Sequence, residues 1–559
     1  MTAGEASWRE LYTPKLATVL REGYRLSDLR ADAVSGLTVA IVALPLSMAI
    51  AISSGATPAA GLYTSIIGGF LISALGGSRF QIGGPAGAFI VLVAACVARH
   101  GIEGLAVATI LAGLMLAAIG AFRLGGFIKY IPYPVTVGFT AGIAVVIFAS
   151  EIRDLLGLTL AGPEPGPLVP KLEALFAALP SANAAAIGLA AGTAATILAL
   201  RRWRPKWPGF LIAVVAASAA AQLLHLPVET IGTRFGGVPA GLPAPHLPAI
   251  TPATVAAVFP DAVAFALLGG IESLLSAVVA DSMSGRRHRS NCELVAQGIA
   301  NVVSALFGGI CVTGTIARTA TNIRAGAHTP VSGILHAFFL LAFMLVAAPL
   351  ARFIPLAALA AILGVVAWNM AEKTAFATLM RTSKADAAVL GATFLLTIFR
   401  GLTEGIVVGF SLACLVFLHR MAGAVEVDAV VPPLDEDRPD SEGPAPPAEA
   451  GVLHLRISGA FFFGAAGMVG ALLDRLGEHP RRLVIDFQDV SLFDSSAAAT
   501  MESFIRKVRR QGAEIEIVAA SPAVRTALEN HGVREPEVRF LPGEARLRAV
   551  PPVAEAAAP

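Results

Sequence analysis

Two short stretches of this 559-residue chain carry residue types suited to holding an anion. The first, Gly83-Gly84-Pro85-Ala86-Gly87-Ala88-Phe89, puts helix breakers at the start of an apolar run. The second, Gly308-Gly309-Ile310-Cys311-Val312-Thr313-Gly314-Thr315-Ile316-Ala317-Arg318-Thr319, repeats the device. A helix restarting after a break exposes unpaired N–H groups and about half a positive charge, which together attract an anion. Pro85 at a first helical position loses no hydrogen bond, which leaves the amides of Ala86, Gly87, Ala88 and Phe89 open. In the second stretch Thr315 or Thr313 is placed to cap the helix, and Arg318 adds a full charge beside the amides of Ile316, Ala317 and Thr319. Glu272, in "LLGGIESLLSAVVAD", is the one ionisable residue read as lying well inside an apolar segment. Such a group costs at least a few kcal/mol near a bilayer centre unless paired or hydrated. It is either a partner for Arg318 or a proton or cation site, with Ser276 one turn along the same face.

Elements that can position these residues follow from composition. With 55% hydrophobic and 14% charged residues, the chain has more apolar surface than a soluble core needs, so a polytopic membrane protein is expected. The formal net charge of +2 makes no case for nucleic acid. Cys96, Cys292, Cys311 and Cys414 lack any metal or redox spacing and read as small buried hydrophobes. Residues 1–31 are basic and lack the pattern of a cleaved signal. Apolar runs long enough to cross a bilayer fall near 34–54, 58–75, 83–98, 103–122, 134–150, 184–200, 208–225, 262–280, 293–311, 314–327, 331–351, 355–371, 386–400 and 402–420. This predicts an all-α membrane domain of fourteen spans over 32–421. Basic clusters such as "RRWRPKW" and "SGRRHRS" then fall on the side of the amino terminus, as the positive-inside rule asks, which places both chain ends in the cytoplasm.

Each break lies about 50 residues after the start of its half, the pattern of two inverted seven-span repeats whose broken helices meet at the midplane. Irregular backbone there must be surrounded by protein or a polar cavity. Glu293, Gln297 and Asn301 form an i, i+4, i+8 stripe read as interhelix hydrogen bonding. Residues 422–450 turn acidic and Pro-rich and read as a linker. Beyond it, alternating strand and helix patterns over 451–548 ("VLHLRISG", a helix at 464–477, "RLVIDF", a helix at 496–511, "AEIEIVAA", a helix at 522–531) predict a small cytoplasmic α/β domain, and 549–559 a disordered tail.

These blocks, above all "LPLSMAIAISSGATPAAGLYTSIIGGFLISALGGSRFQIGGPAGAF", "GGIESLLSAVVADSMSGRRHRSNCELVAQGIANVVSALFGG" and "IARTATNIRAGAHTPVSG", resemble the sulfate permease (SulP) family of anion transporters over nearly the whole chain. The last domain looks like the family's STAS domain, with "VSLFDSSAAATME" at its signature. The resemblance implies a core domain holding the site, a gate domain it moves against, and a homodimer in the bacterial inner membrane. It places the anion between the amides near Ala86 to Phe89 and those near Ile316 to Thr319, with Glu272 beside it. Within the family the likeness is greatest to carriers of four-carbon dicarboxylic acids, which implies proton-coupled uptake by alternating access. Leu44-Pro45-Leu46 stands where many sulfate and chloride relatives have Leu-Pro-Gln. Sodium-coupled bicarbonate or sulfate transport and a passive anion channel are the alternatives. No cofactor, metal site or enzyme signature is found. In STAS relatives a serine corresponding to Ser495 is phosphorylated, whereas Asp494 before a helix reads simply as a cap. A regulatory Ser495 and a cytoplasmic partner for this domain both stay open.

Overall fold

The computed structural model describes residues 11–126, 132–162, 164–204, 207–430, 452–467 and 481–542. Linker residues 431–450, the second part of the helix expected at 464–477 and the tail at 549–559 lie outside the described residues. The chain divides into two units, Met1–Phe410 and Ser411–Pro559.

The first unit is helical apart from two short strands. In order come α1 (Lys15–Glu22), α2 (Leu26–Ser53), α3 (Pro58–Leu75), strand β1 (Gly83–Gly84), α4 (Ile90–Ala121), α5 (Tyr133–Leu156), α6 (Leu168–Ala177), α7 (Ala184–Trp203), α8 (Gly209–Leu223) and α9 (Ile231–Phe235). There follow α10 (Pro252–Ser284), α11 (Ser290–Leu306), strand β2 (Thr313–Gly314), α12 (Ile316–Arg324), α13 (Val331–Ala351), α14 (Leu356–Met370), α15 (Lys373–Thr382), α16 (Lys384–Phe399) and the start of α17 (Leu402–Ala422), whose residues from Ser411 on belong to the second unit. Thr57, Asn183 and Thr251 accept first-turn amides, and Pro58 and Pro252 fill first helical positions. Among the described residues nine helices are long and apolar enough to cross a membrane. The expected segments outside these nine lie on shorter helices: α8, α11, α12 and α16. Within the unit, α10 and α11 pack along α4, α13 along α2, and α14 and α16 along α5.

Two expectations are corrected, while the division expected between 83–98 and 103–122 is seen: α4 is two helical stretches separated at Gly101, whose non-helical backbone (φ 68°, ψ −175°) glycine takes without steric cost. Glu272 is not the only acid inside the helices. Continuous helix through Leu156 buries Glu151, and a start at the Thr251–Pro252 cap brings Asp261 into α10, where it pairs with Arg99 at 2.5 Å. The linker expected from residue 422 begins with structure, since Glu426–Val430 forms a strand against the next domain's first expected strand.

The second unit holds a mixed sheet. Strands β3 (Glu426–Val430), β4 (Val452–Phe461), β5 (Arg482–Asp486), β6 (Val490–Phe493), β7 (Glu514–Val518) and β8 (Arg539–Leu541) are joined by α18 (Ser495–Arg510) and α19 (Pro522–Asn530). The order is β3-β4-β5-β7-β8, with β6 also pairing β4; only β3 runs antiparallel. Parallel neighbours need crossovers, and α18 and α19 supply those from β5 to β7 and from β7 to β8. Leu483, Ile485, Met501, Ile517 and Leu528 form part of the core beneath.

The polar stripe on α11 holds both lead-ins to the short strands of the first unit. Glu293 Oε2 accepts from the amides of Gly77 (2.8 Å) and Ser78 (3.0 Å), before β1. Gln297 Nε2 donates to Glu293 Oε1 at 3.0 Å. Asn301 donates to Val312 O (2.7 Å) and Gln297 O (2.8 Å) and accepts from Val312 N–H (3.0 Å), just before β2. Asp32 does the same beyond α12, accepting from the amides of His328 (2.8 Å) and Thr329 (3.0 Å). Asn301→Ala leaves the two buried Val312 groups without partners, at about 1–3 kcal/mol each. The variant is expected to melt several degrees lower in a detergent thermal-shift assay, while Ile299→Ala, at an exposed position on the same helix, shifts little.

Candidate functional site

The two breaks are joined to each other. Gly83 opposes Gly314 and Gly84 opposes Thr313 in an antiparallel ladder. Its ends are extended by Thr315, whose amide (3.0 Å) and hydroxyl (3.1 Å) both donate to Ile82 O, and by Ile82 N–H, which donates to Thr319 Oγ1 at 3.1 Å. Backbone groups freed by one interruption are thus consumed by the other, the condition for irregular backbone at membrane depth. Glycine supplies the room. A Cβ at Gly84 would collide with the Arg318 guanidinium, and one at Gly314 with the Gln81 side chain.

Helix restart differs in detail from expectation. Pro85 is not the first helical residue: the ladder holds Gly83 and Gly84 extended, Ala86 is extended too (φ −110°, ψ 145°), and a tight 3₁₀ turn at Gly87–Phe89 leads into α4. That turn closes Phe89 N–H onto Ala86 O at 3.1 Å, so Phe89 offers no free amide. On α12 the Thr319 amide is likewise spent on Thr315 O at 3.0 Å. The open donors among the described residues are the amides of Ala86, Gly87 and Ala88 on one side and of Ile316, Ala317 and Arg318 on the other. Neither threonine caps α12. Thr315 stands at the cap position but gives its hydroxyl to Ile82 O, and Thr313 Oγ1 is bonded to Ser273 Oγ (2.7 Å) and Gly269 O (3.2 Å). The first turn of α12 is left open to an incoming acceptor.

Arg318 is 2% exposed and donates only to neutral groups: Nη1 to Ser65 Oγ (3.0 Å), Nη2 to Ser47 Oγ (3.0 Å) and to Pro85 O (3.5 Å). Among the described residues it has no carboxylate partner, and the ion pair with Glu272 is not formed. A buried cation without counter-charge costs several kcal/mol, which an entering anion would offset. Sequence reasoning missed Ser47, Ser65 and Ser273. Ser65 lies in a π-helical stretch, Thr64–Gly68, inside α3, and such stretches collect at functional sites. A serine on an apolar helix is the available signal, and it is a weak one.

α10 packs against both breaks. Gly269 faces Phe89, whose ring edge would lie 3.5 Å from a Cβ there, and Phe265 meets Phe89 edge-on at 6.1 Å. Ser273 Oγ accepts from Gly314 N–H at 3.2 Å. Ser276 donates to Thr319 Oγ1 at 3.1 Å, a bond that ties α10 to α12. Glu272 lies between these contacts along the helix, and its Oε2 is buried without a hydrogen-bond partner among the described residues. Met370 and Ile147, from α14 and α5, close over Gly87. In the second unit Asp494 caps α18 by accepting from Ala497 N–H at 2.9 Å, and Ser495 is the exposed first residue of that helix.

The profile of the Sulfate permease family matches residues 29–393, and that of the STAS domain residues 444–541. The chain belongs to the sulfate permease family. It is 39% identical over 92% of its length to a putative sulfate transporter of Bacillus subtilis (strain 168), YvdB, covering 95% of that protein. It is 30% identical to the bicarbonate transporter BicA of Picosynechococcus sp. (strain ATCC 27264 / PCC 7002 / PR-6), with 90% of each chain covered. Among solved structures, the overall structure of SLC26A9 superimposes with a TM-score of 0.84 at 19% identity, covering 96% of this chain and 92% of that one. The transmembrane domain of a cyanobacterial BicA gives 0.61 at 31% identity over 70% of this chain and 98% of that one. This chain is an anion transporter with a helical membrane domain and a carboxy-terminal STAS domain. It is not an enzyme. Gly84→Ala is expected to lower anion uptake in proteoliposomes by more than about tenfold through displacement of the Arg318 fork. Gly162→Ala, where the added methyl meets open space, is expected to leave uptake unchanged.

Proposed function

We propose that this protein is a secondary active transporter that takes up a small carboxylate-bearing anion together with a proton by alternating access. The observation that carries the reading is the unbalanced centre: open amides at two joined helix starts, a buried guanidinium without counter-charge, and a carboxylate oxygen without a donor. An anion entering this centre meets positive polarisation from the amides and Arg318 and repulsion from Glu272. Protonation of Glu272 removes that repulsion, which is strong where water is excluded, and so links the two movements. Ser276, bonded to Thr319, positions the Glu272 turn against α12. Four-carbon dicarboxylates such as succinate, fumarate and aspartate are the first candidates, from the sequence resemblance to the dicarboxylate carrier DauA and from Leu46, which offers the anion no polar contact. A second reading is uptake of sulfate or of bicarbonate, the anions named for the relatives YvdB and BicA, with sodium as the coupling ion for bicarbonate.

Purified protein in liposomes, loaded at two pH values with and without sodium and challenged with succinate, fumarate, aspartate, bicarbonate and sulfate, separates these readings. Accumulation of dicarboxylate that follows the pH gradient and ignores sodium is expected. A sodium requirement with bicarbonate as substrate would replace the first reading by the second. Glu272→Gln is expected to keep anion binding while abolishing the pH dependence of accumulation, and an unchanged pH profile would remove Glu272 from the coupling step.

A further inference from the structure

Away from the anion site, a groove of about 480 Å³ runs between α2, α8 and α13, within the size range of about 300–1,000 Å³ typical of ligand sites. Its walls include Met48, Val214, Ala348 and Phe353 and are almost wholly apolar, with Ser218 and Gln222 as the polar exceptions. Lining residues on α8 run from Leu211 to Gln222, a length of about 16 Å at 1.5 Å per residue. That shape suits an extended hydrocarbon chain better than a compact solute.

Two polar features say what covers it. Ser47, Ser150, Thr193 and Thr393 each return their hydroxyl to the carbonyl four residues back, the usual way a hydroxyl is satisfied on a membrane helix. Ser218 does not: its Oγ is buried without a hydrogen-bond partner among the described residues while the residue lines the groove. At the end of the groove marked by Gln222 and Phe353, Arg352 lies over the Phe353 ring, its guanidinium carbon 5.4 Å from the ring centre. Arg352 is exposed and has no carboxylate partner among the described residues, whereas Arg99 on α4 and Arg234 on α9 are paired with Asp261 and with Asp154 and Glu229. An apolar slot, an unmet hydroxyl one turn inside its mouth and an unpaired cation at the rim match, in order, the acyl chain, ester and phosphate of a phospholipid.

We propose that this groove is a binding site for one anionic phospholipid, with an acyl chain between α2, α8 and α13, an ester oxygen on Ser218 and the phosphate on Arg352. Met48 lines the groove next to Ser47, the residue that holds Arg318, so the lipid braces the helix that supports the anion site. The site stands whichever anion is carried.

The test uses the full chain in vesicles of phosphatidylcholine and phosphatidylglycerol in equal parts, extracted with mild detergent, the retained lipid being counted by mass spectrometry. The natural chain is expected to retain phosphatidylglycerol in preference to phosphatidylcholine. Arg352→Gln, an exposed change, should reduce that preference about fivefold, the effect of one cation near an anionic lipid. Ala348→Trp, which fills the groove, should lower retained phospholipid by about one molecule per chain at an unchanged elution volume. Equal retention of the two lipids by the natural chain, or phosphatidylglycerol retention by both variants equal to that of the natural chain, overturns the proposal. Retention of free fatty acid in place of phospholipid overturns it too.

Discussion

Hydrocarbon offers no hydrogen-bond partner to a peptide group, and the pairing of Gly83–Gly84 with Thr313–Gly314 answers that constraint for two helices at once. Each interruption alone would strand several donors and acceptors. Together they form a ladder that leaves open the first amides of the two restarted helices, the groups suited to an anion. Much of the surrounding structure serves this arrangement. Glu293 and Asn301 pin the two lead-ins, Asp32 holds the chain beyond α12, and Ser273 and Ser276 stitch α10 to the second break.

Charge at the centre is arranged for a missing partner. Arg318 is ringed by serine hydroxyls and a carbonyl, which orient the guanidinium without neutralising it. Glu272, on α10, has a buried oxygen without a donor among the described residues. Had the two side chains formed a bridge, the charges would have cancelled and an anion would have gained little. Separation keeps both available, at a cost in folding stability that is common for functional residues in membrane helices.

The breaks themselves were readable because glycine and proline punctuate an apolar run for stated backbone reasons, and Glu272 stood out as a lone acid. The α/β pattern of the last domain was readable from alternating strand and helix signals, except β3, whose short polar–apolar alternation "EVDAV" was absorbed into the acidic, Pro-rich linker that follows it. Less was legible where meaning depends on distant residues. The partnership of Ser47 and Ser65 with Arg318 spans more than half the membrane domain in sequence, and the π-helical stretch at Thr64–Gly68 has no local signature. Glu151 and Asp261 were misread because helix ends were drawn at the last strongly apolar residue, while caps and packing carry α5 and α10 further.

Joining the breaks by register has a consequence for how the chain can change over time. Strand pairing has a period of two, so one inserted residue in either lead-in would turn its side chains to the opposite face, exchanging the Gly84 surface near Arg318 with the Gly83 surface near Ile72. The length of each lead-in is therefore as constrained as its glycines: an insertion near residue 80 is not repaired by a matching one near residue 311, because both strands of the antiparallel pair would still present the wrong face.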